Sequence, residues 1–534
     1  MTDQREKQPR DIVDVAVVGL GPVGITLCNI LGQHGVRVVG IDSSSDVYAL
    51  PRAMGMDHEV MRVFQNIGIA DDLEKVVSAY RDSEYHAADG SVLRTFTSPP
   101  APHKLGWPAY MTFVQPALEG HLRRKAASLE TVRLRTNTEV IALETLDTPI
   151  LTLRDAATGE TTALGARYVV GCDGGASFIR RSLGIAFEDL IFDQPWLVVD
   201  MIVGDKARNL PETNIQFCDP ARPHTYVVGP DRLRRWEFML LPGENAQEIN
   251  RPDWIWDKLS PWLKPGEAEL WRSATYRFHA LVAEHWRSGN VFLAGDACHM
   301  TPPFLAQGMV QGIKDVVNLG WKLAHVIEGG SERVLDTYQQ ERRPVVREVV
   351  SITKGLGHII CETDVEKVAI RNADMIALVT AGKGTHVRQS LFPPIRNGLI
   401  ARDSDGNPLP GAGEPCPQPW VRSSAGDCRR LDDVVGHGFT LLTCGLAIGR
   451  ELSDRAASAG MSTHEIGSGS DLCEQDDVLS AWLGLYGARA VIARPDRVVF
   501  GTAETEAGIA ALIDQLETQL GLTASHAAFV RRSG

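Results

Sequence analysis

The run Gly19-Leu20-Gly21-Pro22-Val23-Gly24 lies between a β-rich apolar segment, residues 12–18, and a segment that reads as a helix, residues 25–34. In that context a Gly-x-Gly-x-x-Gly turn suits a dinucleotide. Gly19 permits the tight turn, Gly21 lets backbone approach a pyrophosphate, and Gly24 lets the helix pack on the strand. The helix N-terminus offers exposed N–H groups and the positive end of its dipole to the phosphates. A second strand over 36–41 ends at Asp42, followed by Ser43, eighteen residues past Gly24. A carboxylate there can accept both ribose hydroxyls and would repel a 2′-phosphate, so the tightly held nucleotide should be FAD or NAD, not NADP. The alternative is a glycine turn with a purely structural role. Two further stretches combine glycine with acidic residues. One is Cys172-Asp173-Gly174-Gly175-Ala176-Ser177-x-x-Arg180. The other is Gly295-Asp296-Ala297-Cys298-His299, followed by Pro302-Pro303 and Gln307-Gly308-Met309.

The elements that must position these turns begin with a βαβ unit with a right-handed crossover. A helix is expected over 115–126, and short buried strands over 168–171 and 291–294 lead into the second and third turns. A helix follows that is apolar nearly all round, with Ile313, Val316, Val317, Leu319, Leu323 and Ile327. Residues 185–290 are rich in β-branched and aromatic residues, as in 196–203, 225–228 and 236–241, which predicts a mostly antiparallel sheet. Pro408, Pro410, Pro415, Pro417 and Pro419 mark a linker. Beyond it, strands over 439–443 and 490–493 and a helix over 505–520 read as a small α/β unit.

Composition removes several classes of function. At 534 residues, two or three domains are expected. A formal net charge of −13 argues against nucleic-acid partners and against an anionic membrane surface. No apolar run reaches the roughly 18–20 residues of a membrane span. Residues 1–10 are polar and have no signal-peptide core, so a cytoplasmic location is expected. The nine cysteines form no C-x-x-C pair, so neither a zinc site nor a dithiol redox pair is expected, and no metal.

Three such motifs in this order resemble the class A flavoprotein aromatic hydroxylases, FAD-dependent monooxygenases. The likeness is strongest over residues 12 to about 350. Within that group the chain looks most like 3-(3-hydroxyphenyl)propionate hydroxylase and phenol hydroxylase relatives, through the run Arg234-Arg235-Trp236-Glu237-Phe238-Met239-Leu240 and the extra C-terminal unit. The resemblance implies an α/β fold: a Rossmann-type FAD-binding domain (1–80, 111–184 and 290–395), an inserted, mostly antiparallel substrate domain (81–110 and 185–289), and a thioredoxin-like domain (396–534). The last, lacking a dithiol, should serve packing or homodimer contacts.

The resemblance also implies roles. Asp296, after Gly295, should hold the ribityl chain, and Pro303 should line the flavin ring. The backbone of Gly308, Met309 and Val310 should face the N1–C2=O edge, where a helix N-terminus stabilises the anionic reduced ring. Asp173 should serve FAD and nicotinamide binding, supported by pairing with Arg180, while Arg52 and Gln115 should contact the pyrophosphate and ribityl regions. A surface cation is the alternative for Arg180, a plain helix-start residue for Gln115, and packing rather than base chemistry is expected of His299. Many relatives carry Gly-Gly-Gln-Gly-Met-Asn where this chain has Leu305-Ala306-Gln307-Gly308-Met309-Val310, so Val310 offers no side-chain amide and Leu305 should reshape the space beside the flavin.

The implied reaction consumes NADH or NADPH and oxygen. It passes through a flavin C4a-hydroperoxide attacked by an electron-rich phenolate, in a pocket kept dry. His224, Tyr226, Arg234, Arg235 and Tyr276 are the candidates for substrate contacts, with Arg235 and Tyr226 beside Pro303 as catalytic candidates. No general base is singled out. A tailoring hydroxylase of a polycyclic polyketide-type phenol shares every motif, and a non-catalytic flavin redox sensor is the rival of another class. A flavin halogenase would need Trp-x-Trp-x-Ile-Pro, and here Trp254-Ile255-Trp256 runs on into Asp257-Lys258.

Overall fold

A computed structural model describes residues 12–80, 82–207, 210–467 and 469–521; the polar segment 1–10 lies outside the described residues. Ile12–Val18, all apolar but for Asp14, is a central strand buried from Val15 onward. It pairs in parallel with Val38–Ile41 on one side and Thr161–Gly171 on the other. Val132–Arg135 extends the sheet beyond Val38–Ile41, and Val291–Leu293 beyond Thr161–Gly171, both parallel. Parallel strands need crossover connections, and the helix Pro22–Gln33 makes the first one. The helix Gly308–Ile327 packs against it and is buried over most of its surface, as its sequence predicts.

A nine-stranded sheet stands against this layer. Its frame is a pair of long antiparallel strands, Phe187–Val203 and Ala268–Ala283, bulged between Asp189 and Asp193 and between Asp200 and Met201. Leu233–Met239, His224–Val228 and Asn214–Phe217 follow antiparallel. Ser83–His86 joins in parallel and Val92–Thr97 antiparallel to it. The edge strand Thr385–Val387, expected in the cofactor layer, instead pairs with Val92–Thr97. At the other edge His299–Met300 pairs with Ala268–Ala283. The two faces differ. Leu197, Val199, Met201, Tyr226, Trp236 and Phe238 pack on Ile255 and Leu259 of the helix Pro252–Leu259, facing away from the parallel sheet, whereas Trp196, Met239, Ala280 and Val282 join the main core.

The C-terminal unit holds seven strands, with Phe439–Cys444 parallel to Met461–Ile466 and antiparallel to Ala490–Ala493, closed by the helix Glu506–Leu520. It is pinned to the helix His58–Ile67 by a buried fork in which Arg62 donates to both oxygens of Asp432 at 2.7 Å. All nine cysteines are free, and Cys428 and Cys473 are exposed.

Candidate active site

The cleft between the first two layers is walled by backbone. Gly19 has φ +95°, and a Cβ there would lie 2.5 Å from the Cys172 carbonyl oxygen. A Cβ on Gly24 would meet the Gly19 carbonyl oxygen at 1.9 Å. At Gly21 and Gly308, by contrast, a Cβ would find nothing within 4 Å. Gly21 caps the helix Pro22–Gln33 and Gln307 caps Gly308–Ile327, and neither helix start receives a side-chain capping bond. Two helix N-termini, each bearing free N–H groups and open space at a glycine, suit a ligand with an anionic pyrophosphate and a second electron-rich edge. The residues present therefore fit FAD. Asp42 closes the second strand: its Oδ2 accepts from Leu20 N at 2.7 Å and its Oδ1 from Ser44 N at 2.8 Å, with Ser43 exposed beside it. Asp296 is open to the cleft yet deeply set, and desolvation raises its carboxyl above the usual range, opposed by His299 and Arg52.

Arg52 is exposed, and its loop is held from behind, since Gln115 Oε1 accepts from Arg52 N at 3.0 Å and Ala53 N at 2.6 Å. The Gln115 amide N–H2 donates to Glu119 at 2.7 Å, so Gln115 positions the loop rather than projecting a free amide. Asp173 accepts from Ser177 Oγ at 2.5 Å and Ile179 N at 3.0 Å. Arg180 does not pair with it. Its guanidinium donates to the carbonyls of Gly175 at 2.9 Å and Ala297 at 3.2 Å, which ties the second glycine turn to the third.

The third turn is tied in its own way to the start of the helix Gly308–Ile327. Fully buried Asp315 accepts from Gly295 N, from His299 Nε2 at 2.7 Å and from Arg342 Nε at 2.9 Å. The donor atoms of Cys298, His299 and Asp315 lie within 4.8 Å of one another, but the Arg342 guanidinium already neutralises the carboxylate that a metal ion would need. Arg342 continues to Gln311 Oε1, Gln311 to Gln307 Oε1, and Gln307 to the Leu305 carbonyl. That carbonyl also accepts from Tyr110 Oη at 3.3 Å and Arg388 at 2.6 Å. It thereby fixes the turn after Pro303, where Ala306 holds φ +48° in place of a glycine. The Leu305 side chain is buried in the core, and Val310 is buried with it.

Cross-strand register decides which side chains of the large sheet look into the cleft. Asp200, Arg235 and Arg272 stand opposite one another on the inward face. Arg235 donates to the Asp200 carboxylate at 2.7 and 3.0 Å, to the Arg52 carbonyl at 2.7 Å and to the Pro51 carbonyl at 3.3 Å. It is a strut between sheet and loop, its guanidinium held by Asp200 and two carbonyls, so the expectation that Arg235 contacts substrate is corrected. Tyr276 shares this face and accepts from Arg272. His224 and Tyr226 are on the wrong side. Tyr226 is fully buried in the outer cluster, its hydroxyl donating to the Pro211 carbonyl at 3.0 Å, and His224 stacks on Phe217 at 4.2 Å. Strand alternation turned both away from the cleft. Arg234 likewise bonds the carbonyls of Asp231 and Leu233. The inward residue overlooked is Glu237, two positions beyond Arg235 and therefore on its face.

A separate cavity of about 480 Å³ lies between the C-terminal unit and the far side of the helix Gly308–Ile327, lined by His58, Lys314, Trp321 and Arg497 among others and by none of the three glycine turns.

A family model described as an FAD binding domain matches residues 12–353, and one described as the HcaD C-terminal domain matches 413–519. A probable NADH-specific resorcinol 4-hydroxylase of Rhodococcus jostii is 36% identical over 519 residues, 95% of each chain. A 3-(3-hydroxy-phenyl)propionate/3-hydroxycinnamic acid hydroxylase of Burkholderia vietnamiensis is 33% identical over 97% of each. Among solved structures, the flavin-dependent monooxygenase PieE in complex with FAD and substrate superposes with a TM-score of 0.83 at 21% identity, covering 97% of this chain and 100% of that one. At these identities the structural likeness speaks for the fold alone.

Proposed function

The chain belongs to the FAD binding domain family and is a flavin-dependent aromatic monooxygenase, and from that premise we propose that it hydroxylates a small phenolic ring using NADH and oxygen. The observation that carries this reading is the pair of uncapped helix N-termini at Gly21 and Gly308, each with open space where a Cβ would lie. FAD, when bound, supplies hydride acceptance and oxygen activation.

The chain's own residues orient and shield. Gly21 and the start of Pro22–Gln33 hold the pyrophosphate, Asp42 the ribose, and Asp296 the ribityl hydroxyls. The N–H groups at Gly308 and Met309 stabilise negative charge on the flavin edge. Trp196, Phe278 and Phe304 form an aromatic wall, with ring centroids 5.8–6.2 Å apart, that excludes water beside the Pro303 turn. The C-terminal unit is read as a thioredoxin-like packing module. No helix among the described residues is long and apolar enough to cross a membrane, and with a net charge of −13 we place the enzyme in the cytoplasm without nucleic-acid partners.

The test is the purified protein's flavin absorption band together with NADH oxidation stimulated by a panel of single-ring and polycyclic phenols. Hydroxylated product from single-ring phenols is expected. Bound flavin with no phenol-stimulated oxidation would leave a redox sensor, and turnover of polycyclic phenols alone would move the assignment to a tailoring hydroxylase.

A further inference from the structure

One carboxyl on the inward face of the large sheet receives no hydrogen bond among the described residues. Glu237 is 8% exposed and makes no hydrogen bond among the described residues. Its charged neighbour, Arg235 at 3.9 Å, is already held by Asp200 and by the carbonyls of Pro51 and Arg52. Arg272 is held by Asp200, Tyr276 and the Pro51 carbonyl. Buried polar groups are nearly always satisfied, and an exception facing a cleft points to a ligand that satisfies it.

Position agrees. Glu237 lies along its strand between Arg235, which touches the Arg52 loop, and Met239, whose cross-strand partner Trp196 packs on Phe304 next to Pro303. It therefore overlooks the gap between the two segments that flank the flavin site. Its directly opposed neighbours across three successive strands are Thr225, Gln216 and Tyr85. Thr225 donates to Gln216 Oε1 at 2.6 Å, and the Tyr85 hydroxyl, on a residue 1% exposed, has no partner among the described residues. A polar row thus crosses the face from a carboxyl to a phenol.

Resting on the hydroxylase reading above, we propose that Glu237 accepts the O–H of the substrate's ring hydroxyl and takes its proton. The enzyme then selects a ring bearing neutral hydroxyls over one presenting a carboxylate here. In this step the phenolic O–H bond breaks, an O–H bond forms on the Glu237 carboxylate, and the electron pair stays on the phenol oxygen. That charge enriches the ring for attack on the oxygen atom that the monooxygenase reaction supplies. A substrate carboxylate in the same place would face a like charge in a desolvated setting. Arg94, opposite Tyr85, is four strands from Glu237, about 19 Å at strand spacing, beyond the reach of a single ring.

The experiment compares FAD-loaded wild type with E237Q on resorcinol and on 3-(3-hydroxyphenyl)propionate, reading KM, hydroxylated product per NADH, and the pH profile of kcat/KM. FAD content and Tm serve as folding controls. Burial raises the Glu237 carboxyl, with Arg235 opposing. In wild type, kcat/KM for resorcinol should therefore fall with pH from above the ordinary carboxylate range. E237Q should lose that limb, raise the KM for resorcinol at least tenfold and lower the product per NADH. Should E237Q fold poorly, resorcinol binding to wild type, read as a shift of the flavin band, should weaken over the same acid range. Wild-type KM, coupling and pH profile in E237Q, or pH-independent binding, would overturn the proposal while leaving the hydroxylase reading intact. A wild type that no phenol stimulates would remove both.

Discussion

Around Gly21 and Gly308 the chain offers its ligand backbone: glycines without obstruction and helix ends without caps. On the sheet above, around Asp200, Arg235 and Glu237, it offers side chains whose meaning depends on what each neighbour already holds. Backbone recognition tolerates no added atom, because the group bound lies where a Cβ would go. Side-chain recognition tolerates substitutions in size but not unmatched charge. The two regions should therefore fail differently, the sheet through stability or KM and the cleft through cofactor retention.

The largest expected effect belongs to the sheet. Asp200 is fully buried and takes both Arg235 and Arg272. Asp200→Ala would leave two buried guanidinium groups without their hydrogen-bonded carboxylate and should destabilise by about 3–5 kcal/mol, read from urea unfolding. A loss near zero would mean that the carbonyls of Pro51 and Arg52 hold the arginines unaided, and the sheet would then be less charge-dependent than its contrast with the cleft requires.

Next comes the cleft. Gly21 has φ −67°, which alanine adopts without strain, and its Cβ would meet no protein atom. Gly21→Ala should fold with an unchanged apoprotein Tm yet weaken FAD about 100-fold, or about 2.7 kcal/mol, by titration of flavin fluorescence. Gly24→Ala should instead lower the Tm of the apoprotein, because its Cβ overlaps the Gly19 carbonyl oxygen. Equal loss of stability in both variants would erase the distinction between a glycine the ligand needs and one the fold needs.

The same contrast explains what could be read from the sequence. Gly19, Gly21, Gly24 and Gly308 answer to backbone geometry at fixed spacing, so a linear pattern carries them, and the parallel strand and first crossover came with the pattern. Tyr226 and Arg235 could not be sorted that way. In the run Arg234-Arg235-Trp236-Glu237 one face carries Arg234 and Trp236 and the other Arg235 and Glu237, and because both faces are covered by other layers, hydropathy does not say which one looks into the cleft. Only the pairing of Tyr226 with Trp236 and of Asp200 with Arg235 assigns the faces. Parity alone offered a partial signal: if Arg235 is inward, then Glu237 is too. Arg180 was misjudged for another reason, since its partners, the carbonyls of Gly175 and Ala297, come together only when two distant turns meet.

The smallest expected effect separates the two faces of the sheet itself. Tyr226 and Tyr85 are both buried, but the Tyr226 hydroxyl donates to the Pro211 carbonyl at 3.0 Å and the Tyr85 hydroxyl donates to nothing. Tyr226→Phe removes one hydrogen bond and should cost about 0.5–1.5 kcal/mol while leaving KM for the phenolic substrate unchanged. Tyr85→Phe removes a buried hydroxyl with no partner among the described residues, so stability should hold or rise slightly. Urea unfolding of the two variants should thus give opposite signs from the same chemical change. A KM effect from Tyr226→Phe would mean that the outer face takes part in binding, and the division of labour between the faces would have to be redrawn.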